Sequence, residues 1–183
     1  MSHLKDIYEL QEDKSILNLK FFFISKGRQD VVKVVQYAFV QKLNGRNVYN
    51  LGFDDYDLDN DVIIDHINTN NGDAYKVFNT ILSTIPGFFK SYDGSILMVQ
   101  GSDGRPEFPE HCRLTCRKKC LNECKNHNRR ITIYRGYINK HYEALTTEYH
   151  FFGGKKDQAQ HILLEPYERY KTYDSVFIFQ KKI

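Results

Sequence analysis

The sequence lacks long hydrophobic runs. In its 183 residues no apolar stretch approaches the roughly 20 residues needed to span a bilayer, and no signal-peptide pattern opens the chain. These absences exclude a membrane-spanning helix and predict a cytoplasmic protein without a membrane partner. Tryptophan is also absent, although Tyr and Phe are plentiful. There is no internal repeat, low-complexity tract or interdomain linker, which favours a single domain over residues 1–183.

Cysteine is confined to one short segment. The four thiols follow one another at four-residue spacing: Cys112, Cys116, Cys120 and Cys124. This crowding does not resemble a secreted disulfide framework. On a continuous helix over 109–125 the outer pair would lie about 18 Å apart, too far to share one zinc ion with bonds of roughly 2.3 Å. A neighbouring pair could still bind metal together with His111 or His127, but the spacing favours buried, structural thiols and no metal site.

Charge is unevenly distributed, although the net charge is only +3. Residues 54–65 contain six Asp and no Lys or Arg, whereas residues 112–143 contain nine Lys or Arg and two Glu. A basic segment of this kind is typical of contact with nucleic acid or an acidic partner. It equally fits a solvated helix face that the acidic loop balances. The candidate contacts with RNA, DNA or a ribonucleoprotein are Arg117, Lys118, Lys119, Lys125, Arg129, Arg130 and Arg135. Tyr134 and Tyr137 could stack on bases.

The hydrophobic pattern predicts an α+β fold, with a mostly antiparallel sheet of about seven strands and two main helices. The strands are predicted at 16–25, 30–40, 47–53, 61–67, 95–100, 131–137 and 175–180. The helices are predicted at 74–85, ended or kinked by Pro86, and at 109–125. By position, residues 1–60 form an antiparallel meander, 61–137 the core, 143–165 a variable insertion and 166–183 the closing strand.

A strand–turn–helix element at 61–92 is the centre of this arrangement. Gly72 lets the backbone turn sharply, and the polar residues around it are expected to cap the helix. A glycine-containing turn before a helix is also a place where anions bind, because free amides and the helix dipole point into it. The candidate anion-binding residues are Asn70, Asn71, Gly72, Asp73, Lys76, Arg105 and Arg113.

Several segments resemble a family of small bacterial proteins of unknown function, frequent in the Bacteroidota. The matching segments are KVVQY (33–37), VYNLGFDDYD (48–57), NNGDAYKVFNTI (70–81), VQGS (99–102) and PYERYKTYDSVFIFQKK (166–182). This resemblance implies no particular activity.

Residues 61–137 are similar to the core of the GNAT acyltransferase fold. In that family a Q/R-x-x-G-x-G/A turn holds the pyrophosphate of acetyl-CoA, and a tyrosine acid often follows an Arg-Leu pair. TNNGDA at 69–74 keeps the glycine and the small residue but lacks the leading Gln or Arg, and Thr115 follows Arg113-Leu114. A base could come from Asp65 or His66. The resemblance therefore supports a GNAT-like core more than the chemistry.

These features predict a non-catalytic binding module that needs no cofactor, of the type found in phage–host conflict or toxin–antitoxin loci. The alternative is an acyl-CoA-dependent N-acyltransferase, for which acetyl-CoA would be the cofactor. A metal or redox protein built on the cysteines comes third.

Overall fold

The computed structural model describes residues 6–14, 18–64, 71–116, 118, 120–159 and 161–181. The chain packs into two compact units, Met1–Ser95 and Ile96–Ile183, each with helices and antiparallel strands of its own. The predicted α+β class and mostly antiparallel pairing are therefore confirmed. In the described ranges, no helix is both long and apolar enough to cross a membrane.

The first unit contains a five-stranded antiparallel meander. Its strands follow chain order: β1 (Gln11–Lys14), β2 (Asn18–Ser25), β3 (Val31–Leu43), β4 (Arg46–Asp57) and β5 (Val62–Ile64). The turn between β3 and β4 is Asn44-Gly45, both with positive φ, as a two-residue hairpin requires. Strands β2 to β5 overlap the four strands predicted at 16–25, 30–40, 47–53 and 61–67, and β1 is a fifth strand that the sequence pattern did not predict.

Two helices cover one face of this meander: α1 (Ala74–Ser83) and α2 (Ile85–Ser91). Leu19, Phe21 and Phe23 alternate along β2 as buried residues, and Val77 and Ile81 are buried on α1. The break between the helices falls at Thr84, and the proline predicted to end or kink the helix occupies the first turn of α2. The core is aromatic: the fully buried ring of Tyr37 stacks on Phe88, with centroids 4.6 Å apart.

The second unit contains a four-stranded antiparallel sheet in the order β6 (Ile96–Gln100), β9 (Ser175–Gln180), β7 (Tyr149–Lys156) and β8 (Ile162–Pro166). Its helical elements are a 3₁₀ turn (Ser102–Gly104), α3 (Phe108–Thr115), α4 (Arg129–Lys140) and the single turn α5 (Tyr142–Leu145). Residues 143–165, expected to form a variable insertion, supply all of β7, which is an inner strand of this sheet.

Three predictions about the helices and strands are wrong. The described residues form nine strands instead of about seven. The strand expected at 131–137 is part of α4, where Ile131 and Ile138 are buried one heptad apart. The helix expected at 109–125 ends at Thr115, because Cys116 adopts an extended backbone with ψ 116°. Since the GNAT resemblance needed a strand at 131–137, the GNAT-like core is not confirmed.

Candidate functional site

The turn before α1 is held in place by side-chain hydrogen bonds, but none of them caps the first turn of the helix. Asp73 occupies the N-cap position, but its carboxylate makes no cap hydrogen bond. It accepts hydrogen bonds from the hydroxyls of Tyr8 (2.8 Å) and Ser25 (2.6 Å). The predicted capping by Asp73 is therefore wrong, because two hydroxyls already bind this carboxylate. Asn70 lies outside the described residues.

Asn71 extends this set of contacts to the connection between β2 and β3. Its amide donates to Ser25 Oγ (2.9 Å) and to the carbonyl of Gln29 (2.8 Å). Gly27 passes so close to Asn71 that any Cβ at position 27 would overlap the Asn71 backbone. Tyr8, Ser25, Asn71 and Asp73 thus form one hydrogen-bonded group, which we call the turn network.

The charge at this turn does not favour an anion. Partial burial raises the pKa of Asp73, but the hydrogen bonds from Ser25 and Tyr8 and the charge of Lys33 outweigh it and lower that pKa. The carboxylate is therefore ionised at neutral pH. Lys76 forms an ion pair with Asp6 at 3.0 Å and lies over the Tyr8 ring. The other two predicted cations, Arg105 and Arg113, belong to the second unit.

Replacing Tyr8 with Phe tests the turn network. The variant loses the hydrogen bond to the Asp73 carboxylate and the one that the Tyr8 hydroxyl accepts from the Lys26 backbone N–H, so we expect the free energy of unfolding at pH 7 to fall by about 1.5–3 kcal/mol. The folded-state pKa of Asp73 lies below its unfolded value of about 3.9. Its contribution is therefore complete above that pH and is lost as the pH falls through the folded-state pKa. The difference between wild type and variant, measured by urea unfolding, should shrink below about pH 4.

Tyr75→Phe is the matched control, because Tyr75 is 88% exposed. The free energy of unfolding of this variant should differ from that of wild type by less than about 0.5 kcal/mol. A Tyr8→Phe effect that stays constant from neutral to acidic pH would show that Asp73 is not the partner that matters.

A buried ion pair lies on the same helix-covered face. Lys33 of β3 faces Asp55 of β4 in the strand register, and its ammonium group binds Asp55 Oδ1. Each side chain is 8% exposed, and Asp55 Oδ2 has no hydrogen-bond partner in the described part of the chain. Sequence reasoning missed this pair. The available signal was a lysine at an inward-facing position of an apolar strand, between Val31 and Val35.

The second unit brings the four cysteines together in a way the sequence did not predict. All four line a single cavity of about 80 Å³, together with Arg113, Leu121, Asn122 and Glu123. Cys116 Sγ lies 4.0 Å from Cys120 Sγ, and the Cys112 thiol interacts with those of Cys116 and Cys124. The thiols are free and half-buried. They do not all lie on the continuous helix predicted over 109–125, because only Cys112 lies on α3.

Amide donors surround these sulfurs. The Asn126 side chain donates to Cys112 Sγ (3.3 Å) and Cys116 Sγ (3.7 Å), and the Lys125 backbone N–H donates to Cys120 Sγ (3.4 Å). The Asn126 amide lowers the pKa of Cys112, but burial and the neighbouring thiols outweigh it and raise that pKa. The Lys125 N–H holds the pKa of Cys120 below its ordinary value. Residues 108–128, which contain these groups, are called the cysteine segment below.

The predicted nucleic-acid contacts fall into two groups. Arg130 donates to Ser102 Oγ (2.9 Å) and Arg135 to the carbonyl of Tyr173 (3.1 Å), so both help to hold the second unit together. Lys118, Lys125 and Arg129 are exposed, as are Arg105 and Arg113. Arg117 and Lys119 lie outside the described residues.

The rings of the two tyrosines proposed for base stacking are already partly covered by the protein. The Tyr137 ring packs against His141, with centroids 4.4 Å apart. Tyr134 is half-buried on the same helix. Neither ring is therefore fully exposed for base stacking.

Comparison with known families matches residues 4–107 to the family described as "Family of unknown function (DUF6934)". The match ends one residue before α3, so the cysteine segment lies beyond it. No curated protein and no solved structure matches the chain.

Proposed function

Because the chain belongs to DUF6934, a family of unknown function, we propose its function from its own geometry: a non-catalytic module that binds RNA or DNA through the phosphates. The supporting observation is a set of exposed cations within residues 105–129. None of them forms an ion pair in the part of the chain that the structure describes: Arg105, Arg113, Lys118, Lys125 and Arg129. The same stretch contains seven Lys or Arg against three Glu.

Phosphate contact explains this arrangement better than local charge balance. Carboxylates of the acidic stretch already have near neighbours as partners. Asp55 binds Lys33, Asp57 accepts from the Asn60 side chain, and Asp61 accepts from the Tyr56 hydroxyl. Lysine and arginine that lack carboxylate partners can release the counterions of a nucleic-acid backbone, which is the main source of sequence-independent affinity.

The charge-reversal variant Lys118→Glu/Lys125→Glu/Arg129→Glu tests this proposal. Binding of fluorescent single-stranded RNA and DNA is measured by anisotropy between about 50 and 200 mM salt. Wild type should show affinity that falls steeply with salt. Each lost phosphate contact makes the plot of log affinity against log salt concentration less steep by about 0.7. The variant should therefore show a slope smaller by about 2, and it should lose most of its affinity.

The control carries the same change in net charge on exposed lysines of the first unit: Lys14→Glu/Lys42→Glu/Lys90→Glu. It should bind like wild type. Equal losses in both variants would mean that only net charge matters, and no binding by wild type at low salt would reject a nucleic-acid function.

Acyl-CoA binding is the second candidate, since no side chain caps the first turn of α1. The ionised Asp73 and the pairing of Lys76 with Asp6 weigh against a pyrophosphate there. We therefore expect millimolar acetyl-CoA to leave the melting temperature unchanged, whereas a ligand at about 100 times its Kd would add ~2.7 kcal/mol. A rise in melting temperature that Gly72→Asp abolishes would instead indicate an acyltransferase.

A further inference from the structure

We propose that Cys112, Cys116, Cys120 and Cys124 bind one Zn²⁺ ion as a structural tetrathiolate site. This inference goes beyond nucleic-acid binding and does not depend on it. Thiolates are the preferred ligands of structural zinc, and four of them close its coordination sphere.

The positions of the sulfurs support the proposal. A tetrahedral ion with Zn–S bonds near 2.3 Å separates neighbouring sulfurs by roughly 3.8 Å, and Cys116 Sγ and Cys120 Sγ are already 4.0 Å apart. The Cys112 thiol interacts electrostatically with those of Cys116 and Cys124. All four thiols line one shared cavity of about 80 Å³. The objection that the outer pair lies about 18 Å apart holds only for a continuous helix, and this helix ends at Thr115.

The surroundings suit a charged metal–thiolate group. Four thiolates and one Zn²⁺ carry a net charge of −2. Arg113 lines the cavity, and Lys118 and Lys125 act electrostatically on Cys120. The Asn126 amide and the Lys125 backbone N–H supply N–H···S hydrogen bonds to three of the sulfurs. Outer hydrogen bonds of this type orient metal ligands and tune the affinity of the site.

Binding requires the thiols to move closer together. In the described ranges, no three His, Cys, Asp or Glu side chains are already arranged to hold a metal ion. Cys120 and Cys124 lie in irregular backbone between α3 and α4, so they can approach the other pair without breaking a helix. As the ion binds, each coordinating Cys changes from thiol to thiolate, and the released protons, up to four, pass to solvent.

The first test uses the full-length chain, expressed with zinc in the medium and purified with a non-chelating reductant. Metal content is measured by mass spectrometry after nucleic acid has been removed. We expect one zinc per chain, and a cobalt-substituted protein with the intense sulfur-to-cobalt absorption of a tetrahedral thiolate site. Protein without metal that fails to take up zinc or cobalt, an iron–sulfur chromophore, or a stable disulfide under the same reductant would overturn the proposal.

Variants identify the ligands. Each single Cys→Ser change should abolish stoichiometric zinc. Asn126→Leu removes the N–H donors to Cys112 and Cys116 together with the acceptor of the Lys118 ammonium group, and it should lower zinc affinity about 10–100-fold. His111→Ala and His127→Ala are the controls and should retain one zinc, because both imidazoles are exposed. Loss of zinc in either His variant would overturn the tetrathiolate set. Zinc content and nucleic-acid binding are measured separately on the wild-type chain, so failure of nucleic-acid binding and failure of the metal site give different results.

Discussion

Replacing Lys33 with Met is expected to lower the free energy of unfolding by about 3–5 kcal/mol. The variant leaves the Asp55 carboxylate on the helix-covered face of the first unit without its ammonium partner. Asp55 is 6% exposed, and its Oδ2 already has no hydrogen-bond partner among the described residues. Water cannot replace the lost partner at such a site, so the charge must be buried unpaired or neutralised. Urea unfolding at pH 7 measures the effect.

The double variant Lys33→Met/Asp55→Leu should recover most of this loss, since it removes both buried charges and replaces them with apolar side chains of similar size. Lys90→Met is the control: Lys90 is exposed on α2, and its stability should change by less than about 0.5 kcal/mol. A Lys33→Met protein within about 1 kcal/mol of wild type would show that water or another group already satisfies Asp55.

The meander of the first unit could be predicted because its information is local. Leu19, Phe21 and Phe23 alternate with more exposed residues along β2, and Asn44-Gly45 marks the turn that follows β3. Each of these signals lies within a few residues of the element that it defines. The hydrophobic face of α1 is equally local, and its buried positions Val77 and Ile81 match the predicted period.

The second unit could be predicted less well because tertiary contacts override its local patterns. ITIYRGY alternates like a strand, but Ile131 and Ile138 are buried on α4 at helical spacing. The amide of Arg130 at the start of this helix donates to Asp103 Oδ2 (2.7 Å), a contact 27 residues away that local periodicity does not reveal. The spacing of the cysteines led to a wrong prediction of a helix over 109–125. Four-residue steps fit a helix, but the described residues from Cys116 to Cys124 form none.

The candidate sites depend on pairings between distant residues. Asp73 is bound by Tyr8 and Ser25, which lie 65 and 48 residues earlier in the chain. Asn126 reaches Cys112 across 14 residues. The sequence could therefore indicate the residue types at these sites, but their partners depend on the folded arrangement.

Replacing Gly153 with Ala is expected to destabilise the second unit by about 3 kcal/mol. Gly153 lies on β7, an inner strand, and a Cβ at this position would overlap the ring of Tyr173. That ring cannot move aside easily. Tyr173 is 1% exposed, its hydroxyl accepts the Glu168 N–H at 3.0 Å, and its ring packs 5.1 Å from that of Tyr167. Thermal and urea unfolding measure the loss.

Gly136→Ala is the matched control and should act in the opposite direction. Gly136 lies within α4 and faces open space, so alanine should raise the free energy of unfolding by about 0.5–1 kcal/mol through helix propensity alone. A cycle with Tyr173→Leu then assigns the cause of the Gly153 effect. If the ring is responsible, Gly153→Ala should cost less in the Tyr173→Leu background, with a coupling above about 1 kcal/mol. Equal costs in both backgrounds would place the strain in the β7 backbone, because only the ring contact depends on Tyr173.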